Sequence, residues 1–270
     1  MKLRQLAAAT GLVVSGAIAF SAPAQAFSFT TNYTQALSGD LAPKGDIMLD
    51  SVTLENGRTI NNFTLVDTAN ILSNDIYTGS NSGAASADIG DLATTGISLE
   101  ALTDEAGKIV MNNLNLNNII DTEDKGKFIL DLQFEQAVDN VLLWERGKNS
   151  RMDVQALDAS GNVIGEKLHL NSRDWDYAGF DINTREIGGA QRVGSMGISM
   201  ADFGLTTQYI SALRVSSEGS AYNGPDFKVL GSVAEVPEPS MLIGLGAAVA
   251  GLLASGRRKQ EKALQDSAAA

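Results

Sequence analysis

Phe128-Ile129-Leu130-Asp131-Leu132-Gln133-Phe134 decides the fold class. Phe128, Leu130, Leu132 and Phe134 fall on one side of an extended chain, and Ile129, Asp131 and Gln133 fall on the other. A period of two with one apolar face is the pattern of a half-buried β-strand. Working outward, strands are expected at Ile47–Leu54, Thr59–Val66, Val138–Trp144, Met152–Leu157, Val163–Leu170, Phe180–Asn183, Ile210–Val215 and Phe227–Val229. Glu55-Asn56-Gly57-Arg58 and Asp158-Ala159-Ser160-Gly161-Asn162 supply hairpin turns, because Asn and Gly enter left-handed conformations cheaply. Strands joined by short turns are antiparallel. The expectation is an all-β antiparallel sandwich of jelly-roll type, one domain over residues 27–235. Helical periodicity is thin: a turn at Ser98–Thr103 and one apolar run near the C-terminus. Thr78–Asp91 reads as a loose loop insertion.

The 270 residues contain no cysteine, which removes disulfides, thiolate metal sites and a cysteine nucleophile. Lys2, Arg4, Arg257, Arg258, Lys259 and Lys262 all lie near the ends, so Phe27 to Val236 holds 14 basic residues against 29 acidic ones. Nucleic-acid phosphates and anionic lipid repel such a body.

The ends carry the clearest signals. Met1-Lys2-Leu3-Arg4 is basic, Leu6 to Phe20 is apolar, and Ala24-Gln25-Ala26 follows. That is the layout of a secretory signal peptide over residues 1–26, with signal peptidase cutting between Ala26 and Phe27. At the other end Val236-Pro237-Glu238-Pro239-Ser240 forms an extended break, since two prolines forbid a helix through them. An uncharged run over about 241–255 and the cluster Arg257-Arg258-Lys259 come next, then a tail over 260–270. The run is shorter than the ~20 residues a bilayer usually requires. Its basic flank nevertheless places the tail on the cytoplasmic side, in agreement with an exported N-terminus.

Pro237-Glu238-Pro239, the apolar helix and the basic cluster together resemble the PEP-CTERM sorting signal of exopolysaccharide-producing Gram-negative bacteria, here over residues 236–259. The resemblance implies processing near Pro-Glu-Pro by an exosortase, a membrane cysteine protease. The tail at Gln260–Ala270 is longer than usual for such a signal. The body is similar to a group of exosortase-dependent surface proteins through Phe29-Thr-Thr-Asn-Tyr-Thr34, Leu142-Leu-Trp-Glu-Arg-Gly147 and Asn223-Gly-Pro-Asp-Phe-Lys228.

Parts for catalysis are scarce. His169 is the single histidine, and Leu168 and Leu170 take the apolar face, so it reads as a solvent-facing strand residue. Gly194-Ser195-Met196-Gly197 lacks the spacing of a nucleophile elbow. Glu145, beside Trp144, is the candidate acid of a glycosidase, but no second acid is indicated. Asp121-Thr-Glu123-Asp124 and Asp174-Trp-Asp176-Tyr-Ala-Gly-Phe-Asp181 offer calcium-type oxygens without EF-hand spacing, so no cofactor is expected and calcium is the alternative. Trp144, Trp175 and Tyr177 form a carbohydrate platform or fill the core. Phosphate-binding glycine loops are absent. The resulting expectation is a non-enzymatic surface or matrix protein, with a carbohydrate-binding module as the alternative and a glycoside-active enzyme third.

Overall fold

The computed structural model describes residues 26–76, 85–96, 104–185 and 188–233. Of the terminal features, Ala26 and Phe27 are described. Ala24, Pro237, Glu238, Pro239, Arg257, Arg258 and Lys259 lie outside the described residues, as do the apolar run and Ser98–Thr103. No helix among the described residues is long and apolar enough to cross a membrane.

The architecture is an antiparallel β-sandwich with a third layer. In chain order the strands are β1 Phe29–Gln35, β2 Ile47–Leu54, β3 Thr59–Ile60, β4 Phe63–Thr64, β5 Val66–Asn74, β6 Ser86–Ile89, β7 Asn118–Asp121, β8 Lys127–Val138, β9 Asn140–Arg146, β10 Met152–Leu157, β11 Val163–Leu170, β12 Asp176–Ile182, β13 Gln191–Ser199, β14 Ile210–Glu218 and β15 Asp226–Ser232. One α-helix, α1, spans Asp104–Met111. A five-stranded sheet runs β11-β10-β14-β8-β5. A seven-stranded sheet runs β12-β13-β9-β15-β7-β6 with β4 paired to β15, and β1-β2-β3 forms a small outer sheet.

The two large sheets enclose the main core. Phe128, Leu130, Leu132 and Phe134 of β8 meet Leu143, Met196, Phe227 and Val229 of the facing sheet. The alternation that defines β8 thus places its apolar side inward. The seven-stranded sheet is covered on its other face as well. Phe29, Ile47, Leu49 and Val52 of the outer layer pack on Leu142, Trp144, Val193 and Leu230. β9 and β15 are consequently buried on both sides, which explains their nearly continuous apolar runs.

Several boundaries differ from the sequence expectation. The stretch Thr59–Val66 breaks into β3, β4 and the first residue of β5, which pair in three different sheets. Thr78–Asp91, expected as a loop, contains β6, which pairs with β7. Besides β6, the strands β1, β7 and β13 were not anticipated, nor was α1, and β5 was anticipated only at Val66. Asp104 and Glu105 open the helix and Lys108 lies in its last turn, each favourable with the helix dipole. Asn113 Nδ2 donates to the carbonyls of Ile109 and Val110 at its C-terminal end. Beneath that end lies Lys228, fully buried, whose Nζ donates to Val110 O and Asn113 Oδ1. Burial holds its amine well below the usual lysine range.

Candidate functional site

The sandwich is open along one side, where its sheets end in the edge strands β11 and β12. A cleft of about 440 Å³ lies there. Leu168, Leu170, Met196 and Ile198 form an apolar floor, and Ser28, His169, Asp174, Asp176 and Asp202 a polar rim. The size falls within the ~300–1,000 Å³ of small-ligand sites.

His169 reaches this rim through a bulge. Leu157↔Val163 and Ala156↔Ile164 open the β10–β11 hairpin, but beyond them Gly165, Glu166 and Lys167 oppose Gln155 alone. Gly165 makes the bulge feasible: its φ is +69° and a Cβ there would come within 2.3 Å of Phe203 O. The two extra residues bring His169 opposite Asp153. His169 Nδ1 lies 2.6 Å from Asp153 Oδ1, and Lys167 Nζ lies 2.5 Å from Asp153 Oδ2. The His169 ring stands edge-on to Tyr222 at 5.5 Å. Burial pushes the Asp153 carboxyl up, yet hydrogen bonds from Lys167, His169 and Tyr222 outweigh it and hold the group below its usual range. Burial, and then the bond to Asp153, push the Tyr222 hydroxyl up to about 12. His169 is half-exposed as expected, but it is held by a carboxylate.

The other rim carboxylates are oriented locally. Asp176 Oδ2 accepts from Ser28 Oγ at 2.5 Å. Asp174 Oδ2 accepts from Asn171 N and Nδ2 at 3.0 and 3.1 Å. Asp202 Oδ2 accepts from Ser199 N and Oγ at 2.7 and 2.6 Å, in a capping box at the short 3₁₀ helix Met200–Phe203. Ser28, Asp153, Asp202 and Tyr222 were not singled out from the sequence. Only Ser199-x-x-Asp202 carries a local motif.

The wall of the cleft includes Ala26, and Phe27 is fixed beside it. Phe27 N donates to Gly197 O at 2.8 Å and Gly197 N to Phe27 O at 2.9 Å. Along β13, β12 pairs no farther than Ser195, so Phe27 extends the sheet edge where β12 has ended. Its ring occupies the space over Gly197 in which a Cβ would stand.

The remaining candidate residues are interior. Trp144 and Trp175 are fully buried core residues rather than a sugar platform, and their indole N–H groups donate to Thr31 Oγ1 and Ser150 O, each at 3.0 Å. Tyr177 is exposed, but Arg192 covers its ring at 3.9 Å and its hydroxyl donates to Asp181. Glu145 is fully buried, away from solvent and from the cleft lining. Burial, with a contribution from Asp226, pushes its carboxyl up to about 8, and its Oε2 accepts from Asn149 N at 3.2 Å. Among the described residues no group of three or more His, Asp or Glu is placed to hold a metal ion. Asp121 is instead committed to Arg146, whose Nη2 reaches its Oδ1 at 2.8 Å.

Arg146 and Trp144 between them connect the three stretches that carried the resemblance of the body. It faces Asp226 across the β9–β15 ladder and also contacts Asp88, Asp121 and Thr184. Two residues before it, Trp144 takes Phe29 edge-on at 5.4 Å in addition to the Thr31 hydroxyl. Leu142–Gly147 and Asn223–Lys228 therefore adjoin within the seven-stranded sheet, and Phe29–Thr34 packs on that sheet from the outer layer.

No protein-family model matches the chain, and no curated protein matches it. Among solved structures, the lectin domain of lectinolysin complexed with Lewis B antigen is similar at 14% identity, over 43% of this chain and 72% of that one, with a TM-score of 0.28. The GH31 alpha-xylosidase from Xanthomonas citri is similar at 9% identity, over 78% of this chain and 25% of that one, with a TM-score of 0.12.

Proposed function

We propose that this chain is an exported, non-enzymatic protein of the cell envelope or extracellular matrix. Residues 1–26 direct export and are removed by signal peptidase. Residues 236–259 hold the protein transiently in the inner membrane, with the tail at 260–270 on the cytoplasmic side, until an exosortase processes it near Pro237-Glu238-Pro239. The observation that carries this reading is the position of Phe27. It directly follows Ala24-Gln25-Ala26, and among the described residues it is the first engaged in the sheet, while Ala26 is exposed. A cut between them leaves every described strand intact. Absence of cysteine also suits a sandwich held by its apolar cores and buried ion pairs. The test is fractionation of the producing strain with and without its exosortase. Loss of the enzyme should leave the chain membrane-bound with its apolar tail. An intact tail in the strain that retains the enzyme contradicts the proposal.

The cleft favours a second reading, a carbohydrate-binding module. A sugar ring presents apolar C–H faces and hydroxyl donors, and this site pairs an apolar floor with carboxylate acceptors. Extracellular polysaccharide is the partner this reading names, and the acidic body repels nucleic acid. Calorimetry of the processed protein with matrix polysaccharides should give binding that weakens in Asp176→Ala. The absence of heat with every polysaccharide removes this reading and leaves the first standing.

A further inference from the structure

We propose that the α-ammonium exposed at Phe27 becomes a cationic wall of the acidic cleft, so that maturation of the chain and charge balance within the cleft are one event. The inference rests on the export reading, in which the cut falls after Ala26. Ala26 and Ser28 both line the cleft, and the residue between them is pinned to Gly197 by a reciprocal pair of backbone bonds. The nitrogen of Phe27 therefore lies between two lining residues, bonded to Gly197, whose chain neighbours Met196 and Ile198 also line the cleft.

Before cleavage this nitrogen is a neutral amide whose single hydrogen is used by Gly197 O. Hydrolysis breaks the Ala26–Phe27 C–N bond. Water supplies hydroxyl to the departing Ala26 carbonyl and hydrogen to the Phe27 nitrogen, which takes a further proton from solvent at neutral pH. The new ammonium keeps one donor on Gly197 O and turns the other two toward the space Ala26 leaves.

The titratable groups that line the same cleft come from β11, β12 with the turn before it, and the 3₁₀ helix. Asp176 starts β12 with Asp174 in the turn before it, Asp202 lies in the 3₁₀ helix after β13, and His169 comes from β11. Asp176 is the neighbour best placed, because it already binds the hydroxyl of Ser28, the residue after Phe27, at 2.5 Å. Neighbouring carboxylates favour the charged form of an amine, so the α-amine should titrate above its usual range. Its contribution to stability is then full below the ordinary α-amine pKa and is lost as pH rises through the elevated value.

The experiment titrates the ¹⁵N-labelled α-amine of the mature chain beginning at Phe27, by NMR, beside the Asp174→Asn/Asp176→Asn variant. The wild-type amine is expected at least about half a unit above the usual range of about 7.7–8.0, and the variant is expected to bring it back. An ordinary wild-type value overturns the inference, and so does an elevated value that the variant leaves unchanged. Both outcomes spare the export reading. A native chain found to begin at another residue overturns both, and that result comes from the sequencer rather than the titration.

Discussion

Arg146 and Asp226 stand directly opposite each other on β9 and β15, and Nε and Nη2 of the guanidinium both donate to Asp226 Oδ2, at 3.1 and 2.7 Å. The same guanidinium reaches Asp121 at 2.8 Å and Asp88 at 3.5 Å, so one cation ties four neighbouring strands, β9, β15, β7 and β6. Arg146→Leu leaves these buried carboxylates without their shared cation. Removing one partner of a buried charge cluster costs about 3–5 kcal/mol. A urea midpoint within a few tenths molar of the wild type would contradict this account of the layer.

Phe27 and Gly197 make a second dependence explicit. A Cβ at position 197 would come within 2.2 Å of the Phe27 ring. Gly197→Ala is expected to displace Phe27 from the sheet edge at a cost of about 1–3 kcal/mol. Hydrogen exchange at the Gly197 amide is the local readout, because that N–H donates to Phe27 O. Unchanged protection there means that Phe27 does not close the edge.

Gly165→Ala tests the bulge that builds the rim of the cleft. The substitution combines a positive φ of +69° with a 2.3 Å approach to Phe203 O, neither of which a side chain accepts. A loss of about 1–3 kcal/mol is expected. The His169 ring resonances should also shift as its contact with Asp153 weakens.

Glu145 gives a pH signature. Its folded-state pKa is raised by burial from 4.5 to about 8. A group raised in this way contributes stability that is full below its unfolded pKa and is lost as pH rises through the folded value. Unfolding free energy should therefore fall between pH 4.5 and 8 more steeply in the wild type than in Glu145→Gln. The difference between the two proteins isolates this group from Asp153, which acts in the opposite direction, losing stability as pH falls. Parallel stability profiles contradict the assignment. The same variant also tests the third reading of the sequence, since any glycoside turnover that Glu145→Gln leaves unchanged does not use this buried residue.

Much of the fold was legible in the sequence because apolar runs and alternations bounded by turn residues coincide with strands. Ile47–Leu54, Met152–Leu157 and Val163–Leu170 were read to the residue. β13 escaped because close packing requires small residues in it. Gly194 leaves no room for a Cβ beside Trp175, and Gly197 none beneath Phe27, so its apolar pattern is interrupted. β1 escaped because Thr31, though polar, is buried to receive the Trp144 indole N–H. The cleft was less legible than the fold. Counting outward from the Asp158–Asn162 turn places Lys167 opposite Asp153, and only the two-residue bulge brings His169 there. Ser28 and Asp176 are 148 positions apart in the chain, a contact that no local motif encodes.

On the proposed reading, the sandwich is delivered outside the cell as a chain beginning at Phe27. N-terminal sequencing of the protein recovered from the envelope or matrix of the producing strain tests it most directly. Phe27-Ser28-Phe29 are expected as the first residues. A full-length chain retaining Met1 and recovered from the soluble cytosol would contradict it.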